Sequence, residues 1–126
     1  MTQDIVILDG ARTAIGTFGG SLAGTTPIDL GTAAAKAALD RSGVEGGQIG
    51  HVAFGHVINT EPRDMYLSRV AAIQAGGSDA APAKNGNRLG GAGVWAVGSV
   101  LQVLMLGGSE FCLCCGATSM VQPTLL

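Results

Sequence analysis

Charge is scarce in this sequence. Lysine, arginine, aspartate and glutamate together make up 13% of it, against roughly 25% in an ordinary soluble domain. The net charge is −2, which gives no basic patch, so nucleic acid and anionic membrane are poor partners. Long apolar runs are missing as well. The longest, residues 94–106, is broken by Gly98, Ser99 and Gln102 and falls short of the ~20 residues a membrane span needs. No secretory leader is visible, because Met1 runs into a short apolar stretch without a basic region before it. Cysteine is confined to Cys112, Cys114 and Cys115. An odd, clustered set is no disulfide framework, which points to a reducing cytoplasm.

What the chain does have is apolar bulk and glycine: 47% hydrophobic residues and 21 glycines. That combination suits tightly packed helix–sheet layers. It also suits a domain whose surface is covered by another domain or subunit. At 126 residues the chain is the size of one domain, and residues 1–126 are read as a single unit.

Residues 4–9 are a short apolar run closed by Gly10, read as a buried strand. A glycine- and threonine-rich loop follows. Thr26 then reads as a helix N-cap, with Pro27 at the first helical position, Asp29 at the third, and Gly43 as the stop after residue 41. Residues 51–58 read as a second strand, and 65–75 as a helix that Asp64 could cap. Residues 82–88 are extended but polar, which weakens them as a strand. Residues 91–106 form a helix apolar on nearly every side, expected to be buried all round, and 110–116 the last strand. The order is βαβαβαβ: an α/β fold with a mostly parallel sheet and helices on its faces.

Parallel sheets bind ligands beyond the C-terminal ends of their strands, where turns enter helices. The turn Asn87-Arg88-Leu89-Gly90-Gly91-Ala92-Gly93 is such a place. Its glycines let backbone approach a ligand, and the helix after it offers free N–H groups. A cysteine opening such a turn would be an activated nucleophile, but the position holds Gly90. Gly91 to Ala96 also fits the dinucleotide pattern G-x-G-x-x-A. Against that reading, Glu110 stands at the start of the next strand rather than its end, and this is the third βα unit, not the first. Strand alternation places Cys112 and Cys114 on one face and Cys115 on the other, as core residues with no metal spacing. His51 and His56 face opposite sides, and Asp9 and Glu61 lack a second carboxylate for acid–base work.

The turn resembles the thiolase signature Asn-Arg-Leu-Cys-Gly-Ser-Gly, with Gly90 at the cysteine and Ala92 at the serine. Residues 11–22, from Ala11-Arg12-Thr13 to Gly20-Ser21-Leu22, are similar to the thiolase N-terminal loop. Phe54-Gly55-His56-Val57-Ile58 and residues 61–72 resemble bacterial β-ketothiolases. Gly116-Ala117-Thr118-Ser119-Met120 is similar to a family segment in which glutamate is usual at the Thr118 position. The resemblance covers essentially the whole chain and identifies an N-terminal thiolase half-domain.

That resemblance implies acyl transfer between coenzyme A thioesters: two acetyl-CoA to acetoacetyl-CoA, or cleavage of longer 3-ketoacyl-CoA. It implies a cysteine nucleophile at position 90, whose backbone N–H also helps to hold an oxyanion. It implies a base and an acid from a C-terminal half not found in these residues, acyl-CoA as substrate rather than a resident cofactor, no metal, and a homo-oligomer. Arg12, Arg63 and Arg88 become candidates for a coenzyme A phosphate, and His56 for a structural hydrogen-bonding role near subunit contacts. The departures cluster after Gly77: the polar Lys84-Asn85-Gly86, glycine at 90, and Trp95 in a helix that is usually tightly packed. Two expectations follow. One is the N-terminal half-domain of a cytoplasmic β-ketothiolase. The other is an inactive, truncated chain that self-associates through an apolar face and the 82–88 strand.

Overall fold

A computed structural model describes residues 3–121. Helix α1, Pro27–Ser42, forms where its signals stand: Thr26 is extended and its hydroxyl accepts from Asp29 N–H at 3.1 Å, while Gly43 closes the helix at φ 73°. Ile28, Gly31, Ala35 and Leu39 recur at helical spacing and form its buried stripe. Three parallel strands follow, β1 His51–Gly55, β2 Ala83–Gly86 and β3 Cys112–Gly116, in the order β2-β1-β3. Helix α2, Leu67–Gln74, connects β1 to β2, and α3, Ala92–Met105, carries the chain from β2 across to β3.

Alternation along the strands divides the core in two. Val52, Phe54, Leu113 and Cys115 face α1 and α2, with Phe54 at the centre and fully buried. Ala53, Cys112 and Cys114 face Ala96 and Val100 of α3. Gly31 lets the Phe54 ring approach α1: a Cβ there would lie 3.0 Å from its ring edge.

Four expectations are corrected. Residues 4–9 run extended but join no strand of the described sheet, and Val6, Ile7 and Leu8 are exposed. The described sheet is therefore three-stranded, and the first β of the βαβαβαβ order is lost. An apolar run favours burial without specifying which edge it pairs with, and here a groove separates the run from β3. Helix α3 is not buried all round: Val94, Val97, Leu101 and Met105 are exposed along one side. The segment at 65–75 opens as a 3-10 turn, Pro62–Tyr66, before α2 begins. Asp64 lies inside that turn, where its buried carboxylate accepts from Thr60 N–H (2.6 Å), Thr60 hydroxyl (2.7 Å) and Glu61 N–H (3.2 Å) rather than capping a helix at 65. Finally, the cysteines, expected to be buried in the core, pack against it only half-buried. The proline-containing tail beyond residue 121 lies outside the described residues.

Candidate active site

The three strands end level with one another on glycine. Gly55 pairs with Gly86 on one side and Gly116 on the other, so a row of three glycines forms the C-terminal edge of the sheet. The first turn of α3 rests on this row. A Cβ at Gly55 would lie 2.7 Å from Gly93 N and closer still to the Ala92 carbonyl. At Gly116 a Cβ would touch Gly93 Cα at 3.5 Å, and at Gly86 it would overlap the Trp95 indole. A side chain is excluded at 55 by the α3 backbone and at 86 by the Trp95 ring.

His56 ties the strand ends together just beyond the row. Its backbone N–H donates to Gly86 O at 3.0 Å, its Nδ1 pairs with Ala117 O at 2.7 Å, and its Nε2 pairs with Asn59 Oδ1 at 3.0 Å. The ring is buried and structural, as the sequence indicated. His51, by contrast, lies at the other end of β1. Burial lowers its pKa, the Lys84 ammonium adds to this, and its Nε2 is buried without a partner.

From β2 the chain passes through Asn87 and Arg88 into a 3-10 turn, Leu89–Gly91, and then α3. Asn87 Oδ1 accepts from Leu89 N–H at 2.9 Å, Gly91 N–H donates to Arg88 O at 2.9 Å, and Ala92 N–H donates to Leu89 O. Among the described residues the Gly90 N–H has no hydrogen-bond partner. Gly90 is exposed, and a Cβ on it would meet nothing within 4 Å. The turn thus offers a free donor, the Gly90 N–H, at a helix N-terminus beside open space.

The arginines do not converge on this turn as a set. Arg88 lies in it, exposed, with Nη1 donating to Asn87 O at 3.2 Å. Arg12 lines a groove of about 1430 Å³ between residues 3–17 and the β3 side of the sheet, which reaches the turn only at Gly93. Arg63 is exposed on the turn before α2. The dinucleotide pattern loses its acid, since Glu110 precedes β3 at the opposite edge of the sheet. Cys112 and Cys114 lie on the α3 side and Cys115 on the other, as alternation required, and burial raises all three thiols, Cys115 to about 11. Inert thiols of this kind are poor nucleophiles. Among the described residues no cluster of three histidine, cysteine or acidic side chains could hold a metal, and no helix is long and apolar enough to cross a membrane.

Sequence reasoning found the turn through its glycines. It does not reveal that the amides of Asn85 and Asn87 fasten the strand leading into the turn, or that Leu89 is held at φ 50°. A side-chain acceptor two residues before a turn amide was the available signal.

The family description "Thiolase, N-terminal domain" matches residues 5–125. The chain belongs to the thiolase family. It is 50% identical over its whole length to a Cupriavidus necator protein named beta-ketothiolase BktB, of which it covers 32%. It is 36% identical over 98% of its length to an acetyl-CoA acetyltransferase of Thiocystis violacea, covering 31% of that protein. The fold agrees with a crystal structure of the Bacillus anthracis acetyl-CoA acetyltransferase at TM-score 0.88 and 33% identity, over 96% of this chain and 31% of that one. A human mitochondrial 3-ketoacyl-CoA thiolase in complex with CoA matches at TM-score 0.77 and 30% identity, over 82% of this chain and 28% of that one. This thiolase-family chain spans about a third of the length of the relatives it matches.

Proposed function

We propose that this is a thiolase-type acyl-CoA acyltransferase domain, in which Gly90 supplies the oxyanion donor of the turn at 87–93 but no nucleophile. Acetyl-CoA and 3-ketoacyl-CoA thioesters are the substrates that the names of its relatives suggest. The observation that carries the reading is the free Gly90 N–H beside open space at the start of α3. A donor so placed stabilises the charge that builds on a thioester oxygen under attack. Covalent acyl transfer needs more. A thiolate attacks the carbonyl carbon, a new carbon–sulfur bond forms as the bond to coenzyme A breaks, and coenzyme A leaves as a thiolate that takes up a proton. Glycine has no atom for the first step, so residue 90 holds a thioester without becoming acylated. The clustered, free cysteines fit a reducing compartment such as the cytoplasm.

A second reading treats the chain as a non-catalytic domain that self-associates. The missing nucleophile favours it, as does the exposed apolar side of α3. The two are separated by incubating the chain and its Gly90→Cys variant with acetyl-CoA and with acetoacetyl-CoA plus coenzyme A. The acyltransferase reading expects one acetyl group on the variant, mapped to the peptide containing residue 90, with none on the unaltered chain. A variant that stays unacylated and a chain that retains no thioester in equilibrium dialysis would overturn it.

A further inference from the structure

Leu89 is the one non-glycine among the described residues with positive φ, at 50°. Leucine does not adopt this conformation unaided. Packing does not impose it either, since the side chain is 71% exposed. What holds it is Asn87, whose Oδ1 accepts from Leu89 N–H at 2.9 Å while its Nδ2 makes a longer, 3.5 Å contact with Val57 O in the loop after β1. This carboxamide therefore links the turn after β2 to the loop after β1.

The peptide unit joining Leu89 to Gly90 carries the Gly90 N–H, so rotation about Leu89 re-aims that N–H directly. The amides of Leu89, Gly91 and Ala92 are all engaged, and the Gly90 donor is left free by their arrangement. Without the Asn87 acceptor, Leu89 would lose the local bond that offsets its disfavoured φ, and the turn would relax. We propose that Asn87 is the positioning residue of this site: its side chain fixes Leu89 in the left-handed region and so aims the Gly90 N–H, and any group carried at position 90, at the substrate carbonyl. The assignment of that target rests on the acyl-transfer reading above. The hold on Leu89 does not.

Two measurements separate them. Amide hydrogen exchange at Leu89 is read in the unaltered chain, in Asn87→Ala and in Asn87→Ser, whose hydroxyl can accept in a similar local turn. Exchange should quicken about tenfold in the alanine variant and return towards the original rate in the serine variant. The same substitutions are then placed on Gly90→Cys, and alkylation of the introduced thiol is followed against pH by peptide mass. Loss of Asn87 should raise that thiol's pKa by about one unit, a tenfold fall in alkylation at neutral pH, with recovery by serine. Leu89 exchange and an alkylation profile that are both indifferent to Asn87→Ala, in a variant with unchanged circular dichroism, would overturn the proposal. If both respond but acetyl-CoA never acylates the introduced thiol, the positioning role stands and the acyl-transfer reading falls.

Discussion

The indole of Trp95 lies against Gly86, with its six-membered ring in the space that a side chain on Gly86 would occupy. Each of the two residues accounts for the other. A glycine in a strand leaves a gap above the backbone, and a large ring one helical turn into α3 closes it. Gly86→Ala should therefore destabilise the chain by about 1–3 kcal/mol through overpacking. Trp95→Leu should cost stability on its own, and the double variant should lose clearly less than the sum of the two. Urea denaturation of the four proteins measures the coupling. Strict additivity would show that the contact carries no energy.

The same pair marks where sequence reading stopped. Thr26, Pro27 and Gly43 placed α1 because a cap acts through its own side chain and its immediate neighbours. The turn at 87–93 is legible because glycines must recur where helix meets sheet. Lys84-Asn85-Gly86 looks like a weak strand because strand propensity scores each residue against an average sheet. In the structure Lys84 is exposed, Asn85 bonds the start of α2, and Gly86 admits Trp95. The last two roles depend on partners seventeen and nine positions away. Residues 4–9 failed for a related reason, since hydrophobicity favours burial without naming an edge. The uniform apolarity of α3 likewise carried no polar side to mark which face stays in solvent.

Asn85 is expected to matter for stability out of proportion to its size. Its Oδ1 accepts from Ser68 N–H at 2.9 Å, and its Nδ2 donates to Met65 O at 2.9 Å. One carboxamide thus satisfies an orphan amide at the start of α2 and anchors β2 to the turn before it. Asn85→Ala should lower stability by about 1–3 kcal/mol, because partly buried partners are left unpaired. Asn85→Asp should recover part of the loss: it keeps the acceptor and places a negative charge at a helix N-terminus, but cannot donate to Met65 O. Equal midpoints for the alanine and aspartate variants would contradict this assignment.

Gly55 and Gly90 bracket what the turn tolerates. Gly90 has open space around its Cβ position and its φ lies outside the left-handed region, so Gly90→Ala should change stability by no more than about 0.5 kcal/mol. At Gly55 the obstructing atoms are backbone, those of Ala92 and Gly93. Gly55→Ala should cost about 2 kcal/mol or more, and trimming Trp95 should not relieve it, in contrast to Gly86→Ala. Thermal melts of these variants, with and without Trp95→Leu, test that distinction. Rescue of Gly55→Ala by Trp95→Leu would mean that the ring, not the α3 backbone, sets the spacing.

Cys115 predicts how stability changes in alkali. Burial between β3 and the α1–α2 layer raises its thiol from 9.0 to about 11, the neighbouring Cys114 adds to this, and a backbone hydrogen bond of Gly116 offsets only part of it. The folded state therefore keeps its proton where the unfolded chain has begun to release one. Stability from this group is fully present below pH 9 and is lost as pH rises from about 9 to about 11, with no further loss above that. A two-unit difference corresponds to a loss on the order of 3 kcal/mol across the window. Cys115→Ala removes the group and should show a shallower decline over the same range, while lysine and tyrosine contributions stay common to both proteins. Urea titrations at pH values spanning the window compare them directly. Parallel pH profiles for the two chains would mean that the Cys115 thiol ionises as readily when folded as when unfolded.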